Sequence, residues 1–354
     1  MKFRRLLFLV PLMLSISCSS TSEVTSQRIE DKEEVEKDVA AILGETSKKA
    51  NGNAYGLTFS CSKGQSIKLD ALFNEDNYVI DALISPFSFD FGINNLNGTK
   101  QERKIGLKTS GISLTAKTTM PESFFLNSYD YRISTNEASA YFIDGSLYMD
   151  LSKSNIKDVI YKMADTYLGS GTELGIYKAL INKYLGEIRY QYAFPDLKFP
   201  FNYIQDALKL DYVRQVGDWF INIEEAALDW NDFISLYSYS DGSYKVDFSF
   251  TKELMEKAFN KNQERTFKYN ALTAAVSIYV NSDKIINKVE VKDDIDIEIS
   301  EDTQVVHLIA SGDYQMDFSY GSNNIIYPSK SELKDYQDFE NVKSLIDLFV
   351  SVMR

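Results

Sequence analysis

Ile285-Ile286-Asn287-Lys288-Val289-Glu290-Val291, followed by Asp293-Asp294-Ile295-Asp296-Ile297-Glu298-Ile299, decides the fold class. Successive side chains of a strand point to opposite faces. In the second half, Ile295, Ile297 and Ile299 therefore share one face, and Asp294, Asp296 and Glu298 share the other. Around this stretch the spacing predicts a meander of five short strands: 274–280, 285–291, 294–299, 305–310 and 314–320. Asn281-Ser282-Asp283-Lys284, Glu301-Asp302 and Ser311-Gly312-Asp313 are the connections. Strands so close in sequence pair as antiparallel neighbours.

The same signals fill the region from Ala54 to Leu151. Ser66 to Leu72 and Gly111 to Lys117 alternate, while Asn95-Leu96-Asn97-Gly98 and Ser110-Gly111 mark turns. Asn97-Gly98-Thr99 matches a glycosylation acceptor but reads as a turn. Tyr141-Phe142-Ile143-Asp144-Gly145-Ser146-Leu147-Tyr148-Met149 places apolar strands on both sides of Asp-Gly, the strongest local hairpin signal. A second Asp-Gly turn, Asp241-Gly242, follows the strand expected over 232–239. Gly217 to Asn222 also has strand character. The hairpins echo one another: Asp144-Gly145-Ser146 leads to Asp150-Leu151-Ser152, and Asp241-Gly242-Ser243 to Asp247-Phe248-Ser249. Chance with shared turn chemistry and an internal duplication both account for that echo.

Apolar residues three or four apart predict helices over 29–49, 156–167, 173–190, 203–210 and 252–259, with two more at 331–336 and 342–352. Asp31, Glu33 and Glu34 near the start of the first, and Lys48-Lys49 near its end, suit the helix dipole. Ser152 or Ser154 offers an N-cap for the second. Phe194-Pro195 to Phe199-Pro200 is the clearest loop.

At the other end, Lys2, Arg4 and Arg5 precede a short apolar run, Leu6 to Ile16, and then Ser17-Cys18. This is the layout of an export signal. The run is shorter than the roughly 20 apolar residues of a spanning helix. Ser19 to Gln27, rich in Ser and Thr, reads as a flexible tether. The expected organisation is a signal over 1–18, a tether over 19–27 and one α+β domain over 28–354, with a sub-boundary near 194–200. Its fold class is a large curved antiparallel β-sheet, half-barrel-like, packed against several helices.

Composition narrows the function classes. The chain of 354 residues has 23 Tyr, 22 Phe and six Pro, a bias that favours sheets. The net charge of −13 argues against nucleic acid, whose phosphates need a concentrated basic surface. The two cysteines are Cys18 and Cys61. If Cys18 carries lipid, Cys61 has no disulfide partner and reads as a small buried or edge thiol. With His307 as the one histidine and no cysteine pair, a zinc site of the usual nitrogen or sulfur kind is nearly excluded. A serine triad would have to use His307, and no Gly-x-Ser-x-Gly elbow supports one. Phosphate-cradling and dinucleotide glycine motifs are absent from the sequence.

Carboxylates remain. The Asp294, Asp296 and Glu298 row reads as a solvated face that discourages edge pairing, and its spacing does not match a calcium loop. Glu224-Glu225, near Trp219 and Trp230, resembles a sugar-cleaving acid pair only in composition, because adjacency in sequence says nothing of the required separation. Tyr161, Tyr167, Tyr177, Tyr184, Tyr190 and Tyr192 surround the middle helices. They read as core packing or as the lining of an apolar groove.

Ser17-Cys18 resembles the lipobox of bacterial lipoproteins, with Leu14 four residues before the cysteine where the family places leucine three before. The resemblance implies that Cys18 is the lipid attachment site, carrying acyl chains such as palmitate. It places the protein on the extracytoplasmic face of a bacterial membrane. Ordinary secretion and a retained signal anchor are the other readings of the same layout. Within the body, Tyr141 to Tyr148, Lys284 to Val289, and Phe318-Ser319-Tyr320 to Ile326-Tyr327-Pro328 resemble the LolA/LppX-like lipid-carrier superfamily across roughly 30–336. That resemblance implies a curved sheet wrapped over helices, with an apolar concavity for acyl chains, and carries over no catalytic residue. The expectation is a non-enzymatic lipoprotein that binds or carries a lipid-like hydrophobic ligand. Its partners would be the membrane, through the anchor, and that ligand; no cofactor or metal is called for. The alternative is an adhesion or scaffold module whose tyrosine-rich faces meet a protein partner.

Overall fold

The computed structural model describes residues 26–343 apart from 53, 74–75, 120–127, 169–171, 194–199, 226–227, 260–265, 302–303 and 341. The signal stretch with Cys18, the tether up to residue 25, the loop at 194–199 and most of the expected 342–352 helix therefore lie outside the described residues. The described residues form seventeen strands and six α-helices. The α+β class and the dominance of antiparallel pairing are as expected.

Three long strands carry the sheet: β14 (Thr266–Val280), β15 (Ile286–Glu301) and β16 (Gln304–Tyr320). The five short strands of the sequence reading are thus three. The polar residues that suggested breaks face one another, Asp293 opposite Gly312 and Asp294 opposite Ser311, so the ladder continues through them. β15 is an interior strand, so its acidic row does not guard an edge. Glu298 instead pairs with Lys268 at 3.5 Å, and Asp296 with Asn270 and His307.

Beyond β14 the sheet runs through β13 (Tyr244–Thr251) and β12 (Ile234–Tyr239) to β1 (Ser26–Ile29). Ser26 and Gln27, expected in the tether, pair with Tyr239 and Ser238. Beyond β16 the sheet forks. The Tyr314–Tyr320 half pairs with β2 (Ala54–Cys61), and the Val305–Ser311 half with β3 (Gln65–Phe73). The first prong continues through β5 (Phe87–Asn94), β6 (Lys104–Thr109), β9 (Ala138–Ile143), β10 (Ser146–Asp150) and β11 (Arg189–Ala193). It ends on the two-residue, parallel β17 (Gln337–Asp338). The second prong continues through β4 (Asp76–Ile84), β7 (Ile112–Thr119) and β8 (Ser128–Thr135).

The Asp144-Gly145 hairpin forms as expected, both residues at positive φ (51° and 80°), as a two-residue turn of the type that matches strand twist requires. At Asp241-Gly242 only the glycine has positive φ, and Tyr239 N–H donates to Ser243 across a longer turn. The two echoing segments therefore turn differently.

Helix α1 (Lys32–Ala50) begins where Asp31 accepts the Glu34 N–H at 2.9 Å, a side-chain cap for an otherwise unpaired donor. It buries Val35, Val39, Ile42 and Leu43. Helices α2 (Ile156–Leu168) and α3 (Thr172–Leu185) pack as a pair around Ala164, Ile181 and Leu185. The second is shorter than the expected 173–190, since Ile188 takes a positive φ of 57° and Arg189 starts β11. Helix α4 (Phe201–Ala207) is brief. Helix α5 (Tyr212–Glu225) replaces the strand expected at 217–222. Tyr212, Val216, Trp219, Phe220 and Ile223 are its buried residues, and their spacing is helical. Trp219, Phe220 and Ile221 favour strands only over a short window. Helix α6 (Lys252–Phe259) forms as expected. The 331–336 segment is a single tight turn, Glu332–Asp335.

The largest core lies between α1, α5 and the β12–β15 face, on Val35, Ile42, Phe220, Ile234, Leu236 and Val289. A separate core under the first prong uses Ile93, Leu96, Phe142 and Phe201. Each fully buried aliphatic or aromatic side chain contributes about 1.5–3 kcal/mol.

Candidate functional site

Where the two cores meet, the packing leaves a hollow of about 270 Å³. Its roof is the last two turns of α1. Leu43, Thr46, Ser47 and Ala50 fall three, four and seven residues apart and so share one helix face. Its floor is the sheet. Tyr55 of β2 lies opposite Ile93 of β5 and Tyr320 of β16, and the next row on that face sets Leu57 between Phe91 and Phe318. Ile204 and Ala207 of α4, with Leu208 and Tyr212, form a side wall, and Ile286 lies at the start of β15.

The floor is aromatic. The Tyr55 ring stacks on Phe318 with centroids 5.1 Å apart, lies 5.9 Å from Tyr320, and meets Phe91 edge-on at 6.4 Å. Offset and edge contacts of this kind are the favoured aromatic geometries. The same sheet face continues beyond the hollow through Phe59, half-buried, with Phe89 at 4.7 Å and Phe87 and Tyr314 at 5.7 Å. An apolar row thus leads away from the cavity along three strands.

The lining hydroxyls differ in one respect. Tyr320 donates to the Ile286 carbonyl oxygen at 2.8 Å. Tyr212 donates to the Ala207 carbonyl oxygen at 2.9 Å and lies 3.2 Å from Ser47 Oγ. Ser47 donates to the Leu208 carbonyl oxygen, and Thr46 Oγ1 accepts the Ile286 N–H at 2.9 Å. These bonds tie α1 to the side wall and the sheet, which keeps the roof in place. The Tyr55 hydroxyl has no hydrogen-bond partner among the described residues. It is also not one of the sealed unpartnered atoms, which are Arg28 Nε and Asp293 Oδ1. Tyr55 is half-buried and lines the hollow, so its hydroxyl is accessible there. Burial pushes this phenol well above the ordinary tyrosine range, with the neighbouring Tyr320 adding to the effect. No lining residue is charged.

The residues singled out by sequence lie elsewhere. Cys18 is outside the described residues. Cys61 is buried at 1 % exposure on β2. His307 sits half-buried with Nε2 2.6 Å from Asp296 Oδ1, and hydrogen bonds from Asn270 and His307 hold the Asp296 carboxyl below its usual range. Glu224 pairs with Lys32 at the end of α5. Among the described residues, no group of three or more His, Cys, Asp or Glu could hold a metal ion. Asn97 lies in the expected turn and donates to the Asn51 carbonyl oxygen at 2.8 Å.

Tyr161, Tyr184 and Tyr190 pack into the α2–α3 core, and Tyr192 meets Phe339 edge-on at 6.3 Å. The side chain of Tyr167 lies outside the described residues. None of these tyrosines lines the hollow; its tyrosines are Tyr55, Tyr212 and Tyr320. Of the three, only Tyr320 stood in a segment the sequence marked, Phe318-Ser319-Tyr320. The other two come to one place through strand register and helix docking, for which a single sequence carries no local signal. No protein-family model matches this chain, and no curated protein sequence matches it.

Proposed function

We propose that the protein is a membrane-anchored, extracytoplasmic lipoprotein that binds or carries a lipid-like hydrophobic molecule, with the hollow under α1 as its binding site. One observation carries the reading: a cavity of about 270 Å³ between sheet and helices, with an uncharged and mainly apolar lining. Small-molecule sites are mostly apolar clefts of roughly 300–1,000 Å³ with few polar groups. This one falls just below that range. The half-buried Phe59, Phe87, Phe89 and Tyr314 row extends apolar surface from it, giving a longer chain somewhere to lie. That arrangement is what a LolA/LppX-like carrier would need, and the relationship to that superfamily belongs to this proposal, as does a half-barrel curvature of the sheet.

A scaffold or adhesion module needs no internal void, since its work is done on an exposed face. The hollow favours the carrier. Anchoring at Cys18 completes the proposal: two or three acyl chains, each methylene contributing about 0.8 kcal/mol, would hold the body at a membrane surface.

Native mass spectrometry of the full-length protein purified from its own membranes is the test. A retained adduct of lipid mass that denaturation releases supports the carrier. A clean apo mass, together with no uptake of a fluorescent fatty acid or an uncharged alkyl probe, would sink it.

A further inference from the structure

We infer that the hollow selects an uncharged amphiphile, a chain of about ten carbons ending in a neutral oxygen function such as an alcohol or ester, and that the Tyr55 hydroxyl is the group that recognises that oxygen. This inference rests on the carrier reading above and narrows it to a ligand class.

The size follows from comparison. An apolar cavity of about 150 Å³ holds one benzene. A hollow of about 270 Å³ scales to about eleven non-hydrogen atoms. Longer chains would extend along the Phe59 row.

The charge follows from the lining. A carboxylate or phosphate head taken out of water needs a cation or several donors. None of the lining side chains is cationic. Lys284, which lies just before Ile286 in the chain, is already engaged by Asp38 at 2.7 Å. The Ser47, Tyr212 and Tyr320 hydroxyls already donate to backbone carbonyl oxygens. Tyr55 alone has neither a donor nor an acceptor role filled among the described residues. One hydroxyl can donate to a ligand oxygen and accept from a ligand hydroxyl. A single alcohol head answers both and an ester oxygen accepts from the hydroxyl, whereas an anion would use the one donor and leave its remaining lone pairs bare.

An accessible hydroxyl that no protein group engages is also open to a ligand oxygen. The Tyr55 ring already makes its aromatic contacts with Phe318 and Phe91 without using the oxygen.

Calorimetric titration of the full-length protein with decane, 1-decanol and decanoate at pH 8, repeated on Tyr55→Phe, tests this. The expected result is that 1-decanol binds at least tenfold more tightly than decanoate. Tyr55→Phe should weaken 1-decanol three- to tenfold and leave decane unchanged. Decanoate binding as tightly as 1-decanol, or Tyr55→Phe binding 1-decanol undiminished, overturns the selectivity while the carrier reading stands. Binding of none of the three overturns both. Because Tyr55→Phe keeps the ring stack, its fold can be verified by decane binding in the same series.

Discussion

The Tyr327 hydroxyl donates to the Gly92 carbonyl oxygen at 3.0 Å, from the sheet face opposite the hollow. Gly56, Gly92 and Gly106 stand directly opposite one another on β2, β5 and β6. They form a trough without side chains, in which the segment from Asn323 to Tyr327 lies. Asn323 fixes one end by donating to the Ile93 carbonyl oxygen at 3.1 Å and to Asn94 Oδ1 at 2.7 Å. Glycine within a strand commonly marks such a close approach of another backbone.

A Cβ at position 106 would lie 2.4 Å from Ile325 Cγ2, and one at position 92 would lie 2.6 Å from Asn323 Cγ. Gly106→Val and Gly92→Ala should therefore each destabilise the fold by about 1–3 kcal/mol, the usual cost of overpacking. Tyr327→Phe should cost only about 1 kcal/mol, one hydrogen bond. Denaturant midpoints measure all three, and a Gly106→Val protein of full stability would show that the strap does not lie in the trough.

The buried phenols set an alkaline limit. Burial pushes Tyr190 up to about 12, and burial followed by the Asp150 charge pushes Tyr336 up to about 12. Tyr55, Tyr320 and Tyr327 are raised as well, by burial first. In the unfolded chain these groups ionise near 10, while in the folded chain they stay neutral. Their contribution to stability is complete below pH 10 and is lost as pH rises through 10 towards 12. Circular dichroism and tyrosinate absorbance should show unfolding and ionisation of these phenols together in that window. Complete ionisation near pH 10 with the native spectrum intact would contradict the burial.

The α5 helix predicts an asymmetry between neighbours. Phe220 is 1 % exposed and Ile221 is 53 % exposed. Phe220→Ala should cost about 3–5 kcal/mol through transfer and cavity terms. Ile221→Ser should stay within about 0.5 kcal/mol of the parent, as for surface positions generally. Equal losses at the two sites would argue against this helix face.

Filling the hollow separates binding from folding. Ala207 lines it from α4. Ala207→Phe should occupy ligand space, abolish uptake of an alkyl probe and remove the ligand-dependent rise in Tm expected of the parent. Its own Tm should match the parent's or exceed it. Undiminished probe uptake would place the site elsewhere.

Cys18→Ala tests the proposed anchor. Metabolic labelling with palmitate should mark the parent and not the variant, and the variant should leave the membrane fraction. A labelled variant would remove Cys18 as the attachment site.

Alternation in Ile295 to Ile299 and the Asp-Gly signal at Asp144-Gly145 made the antiparallel sheet and one hairpin legible, because strand faces and tight turns depend on near neighbours. The charge gradient of α1 was legible for the same reason, whereas its start at the Asp31 cap, two residues after the expected Ile29, was not. The Trp219-Phe220-Ile221 run was misread because a window of six residues does not separate strand propensity from a helical stripe that starts at Tyr212.

The chain by itself determined an antiparallel-dominated α+β body, with local helices at α1, α2, α3, α4 and α6. Only the tertiary structure decided that Leu43, Tyr55, Ile204 and Tyr320 would surround one hollow, and that Gly56, Gly92 and Gly106 would align behind it. Periodicity fixes which face of an element is apolar, whereas the pairing of β16 with β2 and the docking of α1 decide what that face meets. The β16–β2 pairs join residues more than 200 positions apart, where no local pattern in the sequence reports them.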